Sequence, residues 1–252
     1  MLSAQRLMLI REMIERDAFV SVKEIMERFD VSRSSAMRDL IELENQGVVI
    51  RERGGAVLKE RAATVSSANE VAIRAKENVN EAQKRLLCAR AARTIHEGDC
   101  IYVDGGTTTL FLAEWIATMH VTVITPNTYF LQKLPATFPG TIYLLGGEFG
   151  LNRDMSYGPL TIEMLKQFNF DLAFLTTNGI DLERGEASVF DFEVGQVKKE
   201  VLKRCRHSRL LVDASKIGKR ALCSWARLDA FQDIYMDACP EDERLENIVI
   251  CD

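Results

Sequence analysis

The chain has 252 residues, of which 47% are hydrophobic, 27% charged and only five proline. That is the composition of an ordinary globular protein, not of a disordered or fibrous one. No run reaches the roughly 20 apolar residues that cross a bilayer, and the opening Met1-Leu2-Ser3-Ala4-Gln5-Arg6 lacks the apolar core of a signal peptide. No membrane partner and a cytoplasmic location are therefore expected. The net charge of −5, with ten basic and eleven acidic residues among the first sixty, excludes a domain-wide cationic field. Any contact with nucleic acid must come from a few placed arginines.

In chain order, Leu7, Ile10, Met13 and Ile14 recur at helical spacing, which predicts a helix over 4–16. Ser21 with Glu24 three residues on is a capping box opening a helix from Val22 to Phe29, with Ile25, Met26 and Phe29 inward. Asp30-Val31 is a short break. Ser32 then caps a third helix, without the acid of a full box because Ser35 stands there; it carries Met37, Leu40, Ile41 and Leu43 and stops at Gly47. Two short helices around a tight turn make a helix-turn-helix pattern. Val48 to Val57, with Gly54-Gly55 inside it, reads as a beta hairpin, or wing.

The second helix of such a pair enters the major groove N-terminus first. That makes Ser32, Arg33, Ser34, Ser35 and Arg38 the candidate DNA-reading residues, since arginine can hold guanine through two parallel hydrogen bonds. Arg51 and Arg53 lie two apart in the wing and point to one side, toward phosphate or the minor groove. Asp39 reads as an ion-pair partner inside its own helix. From the pattern alone, a surface helix with scattered arginines fits equally well.

Residues 58–80 lose large apolar side chains and read as a linker turning helical by about Val71 and continuing toward Ile95. Beyond Cys100, apolar runs alternate with helical ones. The strands are Ile101–Val103, Val121–Ile124, Thr141–Leu145, Leu172–Leu175, Leu210–Val212 and Ile248–Ile250. This predicts an alpha/beta domain with a largely parallel sheet. The expected division is a winged helix-turn-helix over 1–58, a linker over 59–72 and a sensing alpha/beta domain over 73–252.

Asp104-Gly105-Gly106-Thr107-Thr108-Thr109 follows a strand and opens a helical run, Leu110 to Ile116. Backbone N–H groups, hydroxyls and the helix dipole at such a turn suit a phosphate, although an ordinary threonine-capped turn fits the string as well. Asn127, Gly146-Gly147, Asp181 and Lys216 lie just beyond other strands. In open alpha/beta sheets the loops at the carboxyl ends of strands converge on the ligand. None of Cys88, Cys100, Cys205, Cys223, Cys239 and Cys251 forms a Cys-x-x-Cys pair. Reduced, buried thiols, no metal and no cofactor are expected. Trp115 and Trp225 are expected in the core, and Glu241-Asp242-Glu243 on a solvated face.

The strings Val31 to Leu40, Leu43 to Gly47 and Arg51 to Ala56 resemble the DNA-binding domain of DeoR-family transcriptional regulators across about residues 3–58. The family's reading helix usually carries Thr-Ile-Arg-Arg-Asp-Leu; here one of those arginines is Met37. Residues 73–232 resemble the family's C-terminal sensor, which is similar in fold to ribose-5-phosphate isomerase. That resemblance matches Asp104–Thr109 to the isomerase phosphate loop, Asp213-Ala214-Ser215-Lys216 to its Asp-Ala-Ser-Lys segment, and Asn178-Gly179-Ile180-Asp181 to its Asp-Gly-Ala-Asp. It implies a repressor of a carbohydrate-utilisation operon, acting on double-stranded operator DNA as a dimer or higher homo-oligomer and released by a phosphorylated sugar.

The isomerase draws its glutamate base from an Arg-Glu-Lys triplet; the matching position, eighteen residues before Lys216, holds Lys198. A lysine can hold an anion but is a poor base toward a carbon-bound proton, and Glu193 is off register by five positions. A sensor without catalytic residues is expected. The alternatives are an active sugar-phosphate isomerase fused to a DNA-binding module, or an alpha/beta domain used only for assembly.

Overall fold

The computed structural model describes residues 3–17, 19–45, 48–52, 54–58, 73–243 and 245–251. The chain divides into two compact units, Met1–Thr64 and Val65–Asp252. Gly47, Arg53 and the expected linker over 59–72 lie outside the described residues.

The first unit contains α1 (Ser3–Asp17), β1 (Phe19–Ser21), α2 (Val22–Phe29), α3 (Arg33–Asn45), β2 (Val49–Glu52) and β3 (Gly55–Leu58). The capping box forms: Glu24 N donates to Ser21 Oγ at 3.1 Å, and Ser21 N to Glu24 Oε2 at 2.8 Å. Asp30 ends α2 in the left-handed region at φ 48°, reversing the chain into α3. Ile10, Ile14, Ile25 and Leu40 are fully buried at the centre. The wing is a three-stranded sheet of order β1-β3-β2; β1, three residues long, is too short for a periodicity to show. Gly55 is required there, because a Cβ would lie 2.1 Å from the Val20 carbonyl oxygen.

Asp39 is an ion-pair partner, but not within its own helix. Arg6 of α1 donates to it through Nε at 2.6 Å and Nη2 at 3.0 Å, and the pair is largely buried. Asp39→Ala would leave the Arg6 guanidinium without its carboxylate in a mostly buried site, which costs about 3 kcal/mol. Thermal unfolding of the first unit should report that loss. Replacing both partners with apolar residues of similar size should recover most of it.

The second unit begins with a 3-10 turn at Ile73–Lys76. It continues through α4 (Glu81–Ala92), β4 (Cys100–Val103), α5 (Leu112–Ile116), β5 (Thr122–Thr125), α6 (Thr128–Leu131), β6 (Thr141–Leu144), β7 (Glu148–Gly150) and β8 (Met155–Tyr157). There follow α7 (Pro159–Leu165), β9 (Phe170–Thr176), β10 (Gly179–Asp181), β11 (Glu186–Val189), α8 (Phe192–Arg204), β12 (Cys205–Leu211), β13 (Cys223–Arg227), β14 (Asp233–Met236) and β15 (Ile248–Ile250). Seven strands form one sheet in the order β15-β14-β12-β9-β4-β5-β6, and every neighbouring pair is parallel.

Side chains alternate across this sheet as the period of two demands. Ile101, Val103, Val123 and Phe174 pack under Leu87, Leu112 and Phe130 of α4, α5 and α6. Tyr102, Ile124, Ala173 and Leu175 face Leu165, Val197, Val201 and Trp225 on the other side. A small antiparallel sheet, β10-β11-β13, supplies part of that second layer.

Three expectations need correcting. The helix expected to run from Val71 to Ile95 is confined, among the described residues, to a 3-10 turn and α4, because Asn80 takes φ 54° and starts α4 afresh. Trp115 is half exposed, whereas Trp225 is buried and donates through Nε1 to Thr177 Oγ1 at 3.2 Å. All six cysteines are free, but only Cys88 and Cys251 are fully buried; burial still pushes the Cys205 thiol up to about 11.

Candidate functional site

Strands β4, β5 and β6 run outward in one direction, and the chain then returns to lay β9, β12, β14 and β15 on the other side of β4. The order therefore reverses between β4 and β9, and a crevice opens at such a point beyond the carboxyl ends of the strands. The polar loops meet there.

Asp104, just past β4, is completely buried. Its Oδ2 accepts from Thr176 N at 2.8 Å and Thr176 Oγ1 at 2.9 Å, tying the ends of β4 and β9 together. The same oxygen takes the Lys198 ammonium, which also donates to Thr176 O at 3.0 Å. Among the described residues, Asp104 Oδ1 has no hydrogen-bond partner. Lys198 is thus engaged inside the protein rather than presented to an anion.

The threonine turn divides by function. Thr109 Oγ1 donates to Asp104 O at 2.9 Å, closing the turn. Asn127 Nδ2 braces it from β5 through Asp104 O at 3.2 Å, while Asn127 Oδ1 caps α6 by accepting from Phe130 N. Gly106 sits at φ 121°, a region closed to most side chains. Among the described residues, no N–H from Gly105 to Thr109 donates to a backbone carbonyl outside the regular elements. Consecutive donors on a turn before a helical segment are the kind of group that can receive an anion.

A residue absent from the sequence reading completes this turn. Lys84 of α4, only 5% exposed, donates to Thr107 Oγ1 at 2.8 Å and to Lys76 O at 2.6 Å. Burial is the main cause holding its ammonium down to about 8; Asp213 pulls it up, and Lys216 pushes it down. Asn80 Nδ2 donates to Asp213 Oδ1 at 2.9 Å and to Ser215 Oγ at 3.1 Å. The threonine turn and the Asp213–Lys216 stretch therefore lie on the same side of the sheet, with the start of α4 between them.

Three further expected residues have contacts of their own. Asp181 is engaged by Arg184 N at 2.9 Å and by the Arg220 guanidinium at 3.4 Å. Gly146 and Gly147 are exposed beyond the edge strand β6, where Thr161 Oγ1 donates to Gly146 O at 2.8 Å.

In the first unit, Ser32, Arg33, Ser34 and Arg38 are exposed at the start of α3 and Ser35 is half-buried. Arg38 rests on Ser34 O at 3.3 Å and Ser35 Oγ at 3.4 Å. Arg51 is held by Glu44 of α3, Nε to Oε2 at 2.5 Å, so the wing arginine is braced against the reading helix. Among the described residues, no group of three His, Cys, Asp or Glu could hold a metal ion, and no helix is long and apolar enough to cross a membrane.

A winged helix-turn-helix head joined to a parallel alpha/beta unit with polar loops at its switch point fits one class: a DNA-binding regulator with a sensor domain. The DeoR-like helix-turn-helix domain matches residues 6–62 and the DeoR C-terminal sensor domain residues 79–238; the chain belongs to the DeoR family of transcriptional regulators. It is 32% identical to the lactose phosphotransferase system repressor of Streptococcus mutans over 97% of this chain and 95% of that one. It is 28% identical to the glycerol-3-phosphate regulon repressor of Escherichia coli over 92% and 89%. Ribose 5-phosphate isomerase A of Methanocaldococcus jannaschii aligns with a TM-score of 0.40 and 16% identity over 55% of each chain, a likeness too slight to argue from.

Proposed function

We propose that the protein is a cytoplasmic repressor of a carbohydrate-utilisation operon, binding operator DNA as a homo-oligomer and released by a phosphorylated sugar. The observation that carries this is Lys84, a buried cation bonded to Thr107 of the Gly105–Thr109 turn and within electrostatic reach of Lys216. The phosphate would lie on the Gly105–Thr109 turn, neutralised by Lys84 and Lys216. Asp104 and Lys198 hold the β4 and β9 ends in place. Ser32, Arg33, Ser34, Ser35 and Arg38 would read the major groove, with Arg51 and Arg53 on the backbone. The two repressors named above align with this chain across 95% and 89% of their own length.

Catalysis is not part of this reading. Where the resemblance places the isomerase's glutamate base this chain has Lys198, engaged by Asp104, and a lysine so held is a poor base toward a carbon-bound proton. Gel-shift titration of the protein on DNA from upstream of its own and neighbouring genes tests the proposal. At least one phosphorylated sugar should release the complex; indifference to all of them would refute effector sensing.

Effector affinity should also depend on pH in a fixed direction. Lys84 is protonated below about 8 in the free protein and becomes neutral above it. Binding a phosphate there demands the proton, so the dissociation constant should rise about tenfold per pH unit above pH 8. Below about 6 the phosphate itself loses its second charge and affinity should fall again. Isothermal titration at stepped pH checks both limbs.

A further inference from the structure

The outer edge of the main sheet is bare. Strand β6 is terminal in the order, and all four of its residues are exposed among the described part of the chain. Thr141 N and Leu145 N donate inward to Val121 O and Thr125 O, so by alternation Ile142 and Leu144 direct their N–H groups outward. Thr141-Ile142-Tyr143-Leu144 carries no charge and no proline, the devices that normally keep an edge strand from pairing. The opposite edge differs: β15 buries Ile248 and half-buries Val249 and Ile250.

The apolar surface continues beyond the strand. Met164 Sδ accepts from Gly146 N at 3.2 Å, placing α7 against the end of β6. Leu160 and Met164, one helical turn apart, share a face of α7. Ile142 and Leu144 share one face with Val123, and Tyr143 lies on the other with Leu160 and Met164; all five are between 38% and 69% exposed. Taking about 200 Å² for each large apolar residue, those exposures leave roughly 470 Å² accessible. A standard interface buries about 800 Å² per partner, of which some 60% is apolar. The two faces flanking the β6 edge together present about the apolar area of one half of a stable dimer.

We infer that a second copy of this chain covers the patch, with β6 pairing antiparallel to its own counterpart across a twofold axis. Two identical strands meeting at such an axis run antiparallel, and Ile142 and Leu144 then exchange backbone bonds while the α7 faces close over the seam. The two seven-stranded sheets become one. Four residues alone would make a weak seam, and Leu160 and Met164 supply the rest of the burial. The inference rests on the oligomeric repressor proposed above and names its interface.

Sedimentation of the full chain, combined with concentration-dependent amide exchange, tests it. The wild type should be a dimer or higher at 10 µM, with the Ile142 and Leu144 amides exchanging slowly at high concentration and faster on dilution. Ile142→Pro removes one outward donor without touching the bonds to β5, and Met164→Lys places like charges across the seam. Either should weaken self-association at least 100-fold with the thermal midpoint of the dissociated subunit preserved, and Ile142→Val should behave as wild type. A monomeric wild type at 100 µM, unchanged association in both variants, or edge amides protected independently of concentration (a segment of the same chain covering them) would overturn the interface. A sugar phosphate should still raise the melting temperature of the dissociated variant. Loss of that shift in wild type and variant alike would instead strike the effector-sensing proposal.

Discussion

Lys84→Met should abolish the response to effector while leaving the protein folded. The ammonium is almost wholly enclosed, and its depressed proton affinity shows that burial opposes the charge. Removing that charge relieves the desolvation cost; the loss is the pair of hydrogen bonds to Lys76 O and Thr107 Oγ1, about 1 kcal/mol each. The two roughly offset, so thermal unfolding should change little. A bound phosphate, by contrast, would lose a charge-assisted bond of about 2–3 kcal/mol, a drop in affinity of about 30–160-fold. Operator binding without effector should be unaltered, so the variant should behave as a repressor that cannot be induced. Gel shifts with and without the sugar phosphate separate these outcomes; a variant released as readily as wild type would remove Lys84 from the site.

Lys198→Met should have the opposite signature, a large loss of stability. Asp104 would keep only the two donors from Thr176 for a carboxylate fully enclosed in protein, with Oδ1 already unpartnered. Breaking one side of such a pair costs about 3–5 kcal/mol. For a unit of this size that lowers the melting temperature by roughly 10 °C. Adding Asp104→Asn removes the stranded charge and should restore most of the loss. Calorimetry of the two single variants and the double resolves the coupling. Additive effects would mean that the ion pair does not hold the crevice together.

Much of this architecture was legible because local signals agreed with the fold. The Ser21–Glu24 box, the left-handed Asp30 and the Leu40 face mark the helix-turn-helix without help from distant residues. Ile101–Val103 and Leu172–Leu175 are apolar on both faces, as interior strands of a parallel sheet must be. What escaped detection depends on contacts remote in sequence. Lys84 sits on a helix with no motif around it, and only the packing of α4 carries it to Thr107. Arg6 and Asp39 are 33 positions apart. The first half of β12, Cys205 to Arg209, is too polar to read as a strand, yet Arg209 is buried there by pairing with Asp233 of β14 at 2.8 Å. β10, β11 and β13 are short and mixed, held by their mutual bonds rather than by an apolar run.

The pocket was legible as a set of loops but not as a set of roles. Lys198 aligns with a catalytic position, yet it is tied to Asp104, while the cation beside the threonine turn comes from α4. The glycines and threonines mark the turn; the charge that would make it selective for phosphate had no local signature.

Calorimetric titration of the intact protein with a sugar phosphate and with its dephosphorylated parent tests the central claim most directly. The phosphorylated compound should bind the wild type at least 100-fold more tightly than the parent sugar, and that preference should fall at least 30-fold in Lys84→Met. Equal binding of the two compounds, or an unchanged preference in the variant, would contradict a phosphate seat on the Gly105–Thr109 turn.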